Sequence, residues 1–222
     1  MILSLEHKFI FVHVPKTAGS AMTERLQPLG CSQSRPFWRS ISRKLKMVER
    51  PGKAYLRQHD TALKIMEKLS PEVFSQFHRF AVVRNPYDHA VSHFEFMKTY
   101  RHKKFARAIS AMDFEGYLHF RMQPAGLFEK TFVRLPDQSF YLTDREGALL
   151  VDRVMKFETL EADWADLMSF LQLPEVPLAR INQSQSRPQN RSYQSYYNDT
   201  TKALVDQIYA ADFDRFGYGT NL

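Results

Sequence analysis

Lys16, Thr17 and Ser20 stand in the run Phe9-Ile10-Phe11-Val12-His13-Val14-Pro15-Lys16-Thr17-Ala18-Gly19-Ser20, and those residue types in that order can hold an anion. The lysine supplies a mobile ammonium and the two hydroxyls supply donors. A helix that starts beside Gly19 adds backbone N–H groups that have no intrahelical partner. The chemistry such a loop serves is the binding of a phosphate or phosphosulfate group. The apolar run ahead of it suits a buried strand, and Ser20-Ala21-Met22-Thr23-Glu24-Arg25-Leu26 after it has the spacing of an amphipathic helix. Strand, loop and helix are expected in that order, with Pro15, Lys16, Thr17, Ala18, Gly19, Ser20 and Ala21 as the anion-binding stretch.

The stretch is not a Walker A loop, in which the lysine follows the second glycine of Gly-x-x-x-x-Gly-Lys-Ser/Thr. Here Lys16 follows Pro15 and the only glycine comes after it. A second segment has a similar build. Arg79-Phe80-Ala81-Val82-Val83-Arg84-Asn85-Pro86-Tyr87-Asp88-His89-Ala90-Val91-Ser92 begins as a short apolar strand, breaks at Asn85-Pro86 and enters a helix with Asp88 as its expected N-cap. Arg84 then sits at a strand end, where α/β sheets bind ligands, and its planar fork suits a phosphate monoester. Ser92, one turn beyond Asp88, is expected to turn its hydroxyl toward the same crevice.

Pro15-Lys16-Thr17-Ala18-Gly19-Ser20 resembles the 5′-phosphosulfate loop of sulfotransferases that use 3′-phosphoadenosine 5′-phosphosulfate (PAPS). Arg84-Asn85-Pro86-Tyr87-Asp88 with Ser92 resembles the 3′-phosphate site of the same enzymes. The likeness is greatest to the family that includes heparan-type 2-O-sulfotransferases and many small bacterial sulfotransferases. It continues through Val154-Met155-Lys156-Phe157-Glu158-Thr159-Leu160-Glu161, similar to a strand and the helix after it, and through Tyr196 to Tyr218, similar to a closing helix. The resemblance implies a three-layer α/β fold with a mainly parallel sheet, related to that of P-loop kinases. It implies transfer of a sulfuryl group from PAPS to an acceptor hydroxyl, with a carbohydrate favoured over other metabolites. Lys16 and the loop donors would stabilise the leaving 3′,5′-bisphosphate.

The proton acceptor implied by the resemblance is His59, in Gln58-His59-Asp60-Thr61-Ala62. Asp60 or Thr61 can cap the helix that follows, leaving His59 just outside its start. By spacing alone it is a surface histidine at a helix start; the resemblance makes it a general base, for which an imidazole is well matched near neutrality. His13, inside a strand beside the loop, reads as packing or loop support. His89 and His93 lie four apart, but without a His-Glu-x-x-His pattern or a cysteine cluster they read as a packed or solvated face, and no metal is expected. His78 and His119 stand in no motif.

At 222 residues and 44% hydrophobic content, the chain can bury one full core, and a single domain over residues 1–222 is expected. Lys and Arg number 31 against 24 Asp and Glu, a formal charge of +7. The excess gathers in Arg35, Arg39, Arg43, Lys44, Lys46, Arg50 and Lys53, and again in Lys98, Arg101, Lys103, Lys104 and Arg107. Such a surface suits an anionic donor, while most of these side chains read as solvated faces. Two stretches, Gln27 to Pro51 and Pro174 to Tyr197, read as irregular excursions; the second carries Arg180, Asn182, Gln183, Ser184, Arg187 and Arg191, of which Arg187 and Arg191 are candidates for donor or acceptor contact. The single Cys31 excludes an intramolecular disulfide and points to a reducing compartment. No apolar stretch suits a signal or a span, so a cytoplasmic protein with no membrane anchor is expected. The residues set no oligomeric state. A kinase with an atypical phosphate loop and a non-enzymatic nucleic-acid-binding module are the competing readings. The first lacks its Walker lysine, the second lacks any known reading motif, and no nucleic-acid partner is expected.

Overall fold

Phe9-Ile10-Phe11-Val12 is four consecutive buried residues, the pattern of a strand covered on both faces. In the computed structural model these residues form β2 (Phe9–Val12), an inner strand of a four-stranded sheet. The structure describes residues 1–31, 48–124, 133–174, 177–178 and 191–222. Of the basic and polar positions singled out above, Arg35, Arg39, Arg43, Lys44, Lys46, Arg180, Asn182, Gln183, Ser184 and Arg187 lie outside the described residues. The chain divides into two compact units, Met1–Val83 with Ser139–Ile181, and Arg84–Gln138 with Asn182–Leu222.

The first unit holds the sheet. Its order is β1 (Ile2–Ser4), β2, β3 (His78–Val83) and β4 (Arg153–Lys156). β1 runs antiparallel to β2, with Leu3 opposite Ile10. β2, β3 and β4 are parallel, with Phe11 opposite Phe80 and Val82 opposite Met155. The protein is thus α/β with a mostly parallel sheet flanked by helices, as expected. β1 is an addition, since three residues are too few to carry a strand signal of their own.

Register decides which side chains share a core. Phe9, Phe11, Phe80, Val82 and Met155 line one face of the sheet. They pack with Met22 and Leu26 of α1 (Gly19–Leu26) and with Leu160, Trp164, Leu167 and Met168 of α8 (Leu160–Phe170). Each such fully buried side chain contributes about 1.5–3 kcal/mol relative to exposure. The alternate residues Ile10, Val12, Ala81 and Val83 are also buried, so these strands are covered on both faces. α2 (Ala62–Leu69) is capped by Thr61, whose hydroxyl accepts from the Lys64 N–H at 3.2 Å. It leads through α3 (Pro71–Phe74) into β3, and α7 (Ser139–Leu142) precedes β4.

The second unit is helical: α4 (Pro86–Lys98), α5 (Lys103–Ser110), α6 (Phe114–Met122), α9 (Asp199–Ile208) and α10 (Ala210–Phe216). Tyr87, Val91, Phe94, Tyr117, Val205 and Tyr209 are central to its core. α9 starts at a capping box made by Asn198 and Thr201, and α10 ends on Gly217 at φ 60°, a left-handed position suited to glycine. His89 and His93 point into this unit, where their Nδ1 atoms share hydrogen bonds with the Tyr209 and Tyr117 hydroxyls. Arg121 donates to the Tyr209 hydroxyl at 2.8 Å and to the Leu135 carbonyl. Among the described residues, no helix is long and apolar enough to cross a membrane.

Candidate functional site

The loop between β2 and α1 has an unusual backbone. Lys16 (φ 67°) and Ala18 (φ 62°) both occupy the left-handed region without being glycine, and Thr17 between them does not. Such positions cost of order 1–2 kcal/mol each. Alternation of hand turns successive N–H groups toward a common side, the geometry of an anion-binding nest. Ala18 is the N-cap of α1 and offers no side-chain cap, whereas α2, α4, α6 and α9 are closed by Thr61, Asn85, Asp113 and Asn198. The first N–H groups of α1 are thereby left to an external acceptor, and the helix dipole favours an anion there.

Within the loop, Lys16 is half-buried, Thr17 is buried and Ser20 is exposed. Thr17 Oγ1 donates to the Val14 carbonyl at 3.0 Å, so that hydroxyl proton braces the loop and the backbone N–H is what Thr17 offers a ligand. Pro15 and Ala21 are buried supports. Gly19 is required by packing. A Cβ built there would lie 1.6 Å from Nε2 of His13.

His59 lies in the turn before α2 and is half-buried. Its Nδ1 is 3.1 Å from the His13 carbonyl oxygen. A carbonyl can only accept, so Nδ1 carries the proton and Nε2 of the neutral ring carries the lone pair. Burial pushes the His59 imidazole below its ordinary value, against the opposing effect of the bond to His13. The neutral base is therefore the form present near pH 7. The turn itself is pinned by Asp60, which accepts from the Arg57 N–H and from Lys68 Nζ, both at 2.8 Å. Of the two candidate caps of α2, Thr61 takes that place and Asp60 braces the turn.

In the second unit, Arg84 is the residue immediately after β3 and is almost fully buried. Its Nε donates to Asp88 Oδ2 at 2.7 Å, and Nη2 lies 2.6 Å from the same oxygen. Two of the five guanidinium N–H donors are oriented in this way. The expected cap is corrected here. Asn85 caps α4 by accepting from the Tyr87 N–H at 3.0 Å, while Asp88 sits in the first turn. Pro86 explains the difference, because its fixed φ and missing N–H suit the first helical position. Ser92 is buried, and its Oγ has no hydrogen-bond partner among the described residues.

Gln138, which no motif indicated, holds the Arg84 backbone. Its Oε1 accepts from the Arg84 N–H and its Nε2 donates to the Arg84 carbonyl, each at 2.8 Å. Asp212 in turn accepts from the Gln138 N–H at 2.8 Å and from Nε2 at 3.1 Å. A side-chain amide here does the work of a neighbouring strand. The structure thus brings His13, Gly19 and His59 together in one unit, and Arg84, Asp88 and Gln138 in the other.

The model of a family described as the sulfotransferase family matches residues 1–219 of the chain. No curated protein and no solved structure matches it.

Proposed function

The chain belongs to the sulfotransferase family, and from that premise we propose that it transfers a sulfuryl group from PAPS to an acceptor hydroxyl. The observation that carries the proposal is the bond between His59 and the His13 carbonyl, which joins a neutral base to the strand end that opens the anion-binding loop. The residues of the loop fit the donor. Its left-handed backbone and the uncapped start of α1 present N–H groups to an anion, and Lys16 adds an ammonium. Lys16, with the backbone from Pro15 to Ala21, would hold the 5′-phosphosulfate. Arg84, oriented by Asp88 and Gln138, would hold the 3′-phosphate, and the unpartnered Ser92 hydroxyl is a suitable second donor for it.

PAPS supplies the sulfuryl group and a bisphosphate leaving group. His59 Nε2 takes the acceptor's hydroxyl proton, and Lys16 offsets the charge that grows on the leaving side. No metal is assigned a role. The family match runs through both units, which supports one sulfotransferase domain. A carbohydrate acceptor is supported by the likeness of both motifs to glycan-modifying relatives, and a reducing, cytoplasmic setting by the single Cys31.

Calorimetric titration with adenosine 3′,5′-bisphosphate, beside ADP and ATP with and without Mg²⁺, tests the donor. The expected result is metal-independent binding of the bisphosphate that weakens in Arg84→Ala. Preference for ATP with Mg²⁺ would replace the proposal with a kinase.

A further inference from the structure

His13 stands one residue beyond β2, not inside the strand as the sequence suggests, and has a place that a residue with no chemical duty does not need. Its ring is buried, stacks on Phe11 with centroids 5.7 Å apart and planes at 23°, and stands edge-on to His59 at 4.5 Å and 66°. Nε2, Cδ2 and Cε1 lie 1.6, 2.1 and 2.4 Å from where a Gly19 Cβ would be, so this edge of the ring abuts the first residue of α1. Nδ1 is buried with no hydrogen-bond partner among the described residues, which costs stability.

We propose that His13 is a positioning residue that holds the start of α1 and the His59 ring at a fixed spacing, so that displacement of the loop is passed to the base. The ring does this by bulk and the carbonyl by its bond to His59 Nδ1. Burial pushes the His13 imidazole well below its ordinary value, so it stays neutral and does not act as a second base. The consequence for turnover rests on the proposed sulfuryl transfer, whereas the mechanical link between Gly19 and His59 does not.

The link is tested by a double-mutant cycle on Gly19→Ala and His13→Ala, read in the ring ¹⁵N signals of His59 and in kcat. Gly19 is outside the left-handed region, so only the His13 ring opposes a methyl group there. Gly19→Ala should shift the His59 signals and lower kcat about tenfold or more, the scale expected when a reacting group is displaced by a fraction of an ångström. Adding His13→Ala should undo most of the shift that the methyl group causes, giving a strongly non-additive cycle. His13→Phe, which keeps a ring, should retain kcat within about threefold, while His13→Ala should lose about tenfold.

His13→Ala should also move the acid limb of the rate profile to higher pH, because space opened beside His59 relieves its desolvation. Should Gly19→Ala fail to fold, this pH shift and the His13→Phe comparison decide the matter. Unchanged His59 signals in folded Gly19→Ala, additive effects in the cycle, or an unmoved acid limb in His13→Ala would overturn the positioning role. If the native protein binds no bisphosphate, the sulfotransferase proposal fails, and the NMR cycle still decides the link.

Discussion

Replacing Gln138 by leucine should disable the Arg84 segment without touching Arg84 itself. The side chain is fully buried and makes three bonds around the Arg84 segment: one from the Arg84 N–H, one to the Arg84 carbonyl and one to Asp212. Leucine can make none of them. Leaving one buried backbone donor and one buried acceptor unsatisfied costs about 1–3 kcal/mol each, so the expected loss is about 2–6 kcal/mol. The loss of the Nε2 bond to the buried Asp212 carboxylate adds to this. Against a typical total of about 5–15 kcal/mol this is a severe lesion. For a chain of this length it corresponds to a fall in melting temperature of about 4–24 °C. Urea denaturation gives the free energy directly, and calorimetry with adenosine 3′,5′-bisphosphate gives the functional consequence in the fraction that folds.

Gln138→Glu makes the test sharper. The introduced carboxylate keeps an acceptor for the Arg84 N–H but faces the Arg84 carbonyl and Asp212 with no donor. The variant should be destabilised at neutral pH and regain stability relative to the native protein on mild acidification, as the carboxyl is protonated and can donate. A Gln138→Leu protein within about 1 kcal/mol of native would refute the accounting, since that is the net worth of a single ordinary hydrogen bond.

The neutral, Nδ1-protonated His59 predicts an acid limb in kcat/KM below the ordinary histidine value of about 6.5, and a limb at or above that value would contradict its burial. His13 and His59 both have folded values below their unfolded ones, so between the two the unfolded chain binds more protons. Their contribution is therefore complete above about pH 6.5 and lost as pH falls below it, which urea midpoints at pH 7.5 and 5.5 would show, with a smaller difference in His13→Phe. Arg84→Lys should weaken bisphosphate binding about tenfold or more, because an ammonium cannot meet Asp88 through two nitrogens and still present a planar fork. Equal affinity in calorimetry would remove Arg84 from the donor site.

The amino-acid order determined those parts of the protein whose causes are local. An apolar run followed by Pro15-Lys16-Thr17-Ala18-Gly19-Ser20 specifies a buried strand, a turn and the start of a helix, because alternation and periodicity act over a few residues. Val154 to Glu161 and Tyr196 to Tyr218 were legible only through their resemblance to family segments, and they hold β4 with the start of α8, and α9 with α10. Even a local feature went astray at α4, where Asp88 and Asn85 both suit a cap and only the position of Pro86 separates them.

Tertiary structure decided what depends on residues far apart in the chain. Gln138 meets Arg84 across 54 positions and His59 meets His13 across 46, and neither pairing leaves a periodic trace. His13 could be read as packing or loop support, and only the folded structure shows its ring filling the space at Gly19. β1 exists because β2 offers it an edge, since three residues carry too little pattern to form a strand alone. Composition and spacing name the groups able to do chemistry; the protonated nitrogen of His59 and the orientation of Arg84 follow from hydrogen bonds that only folding brings within reach.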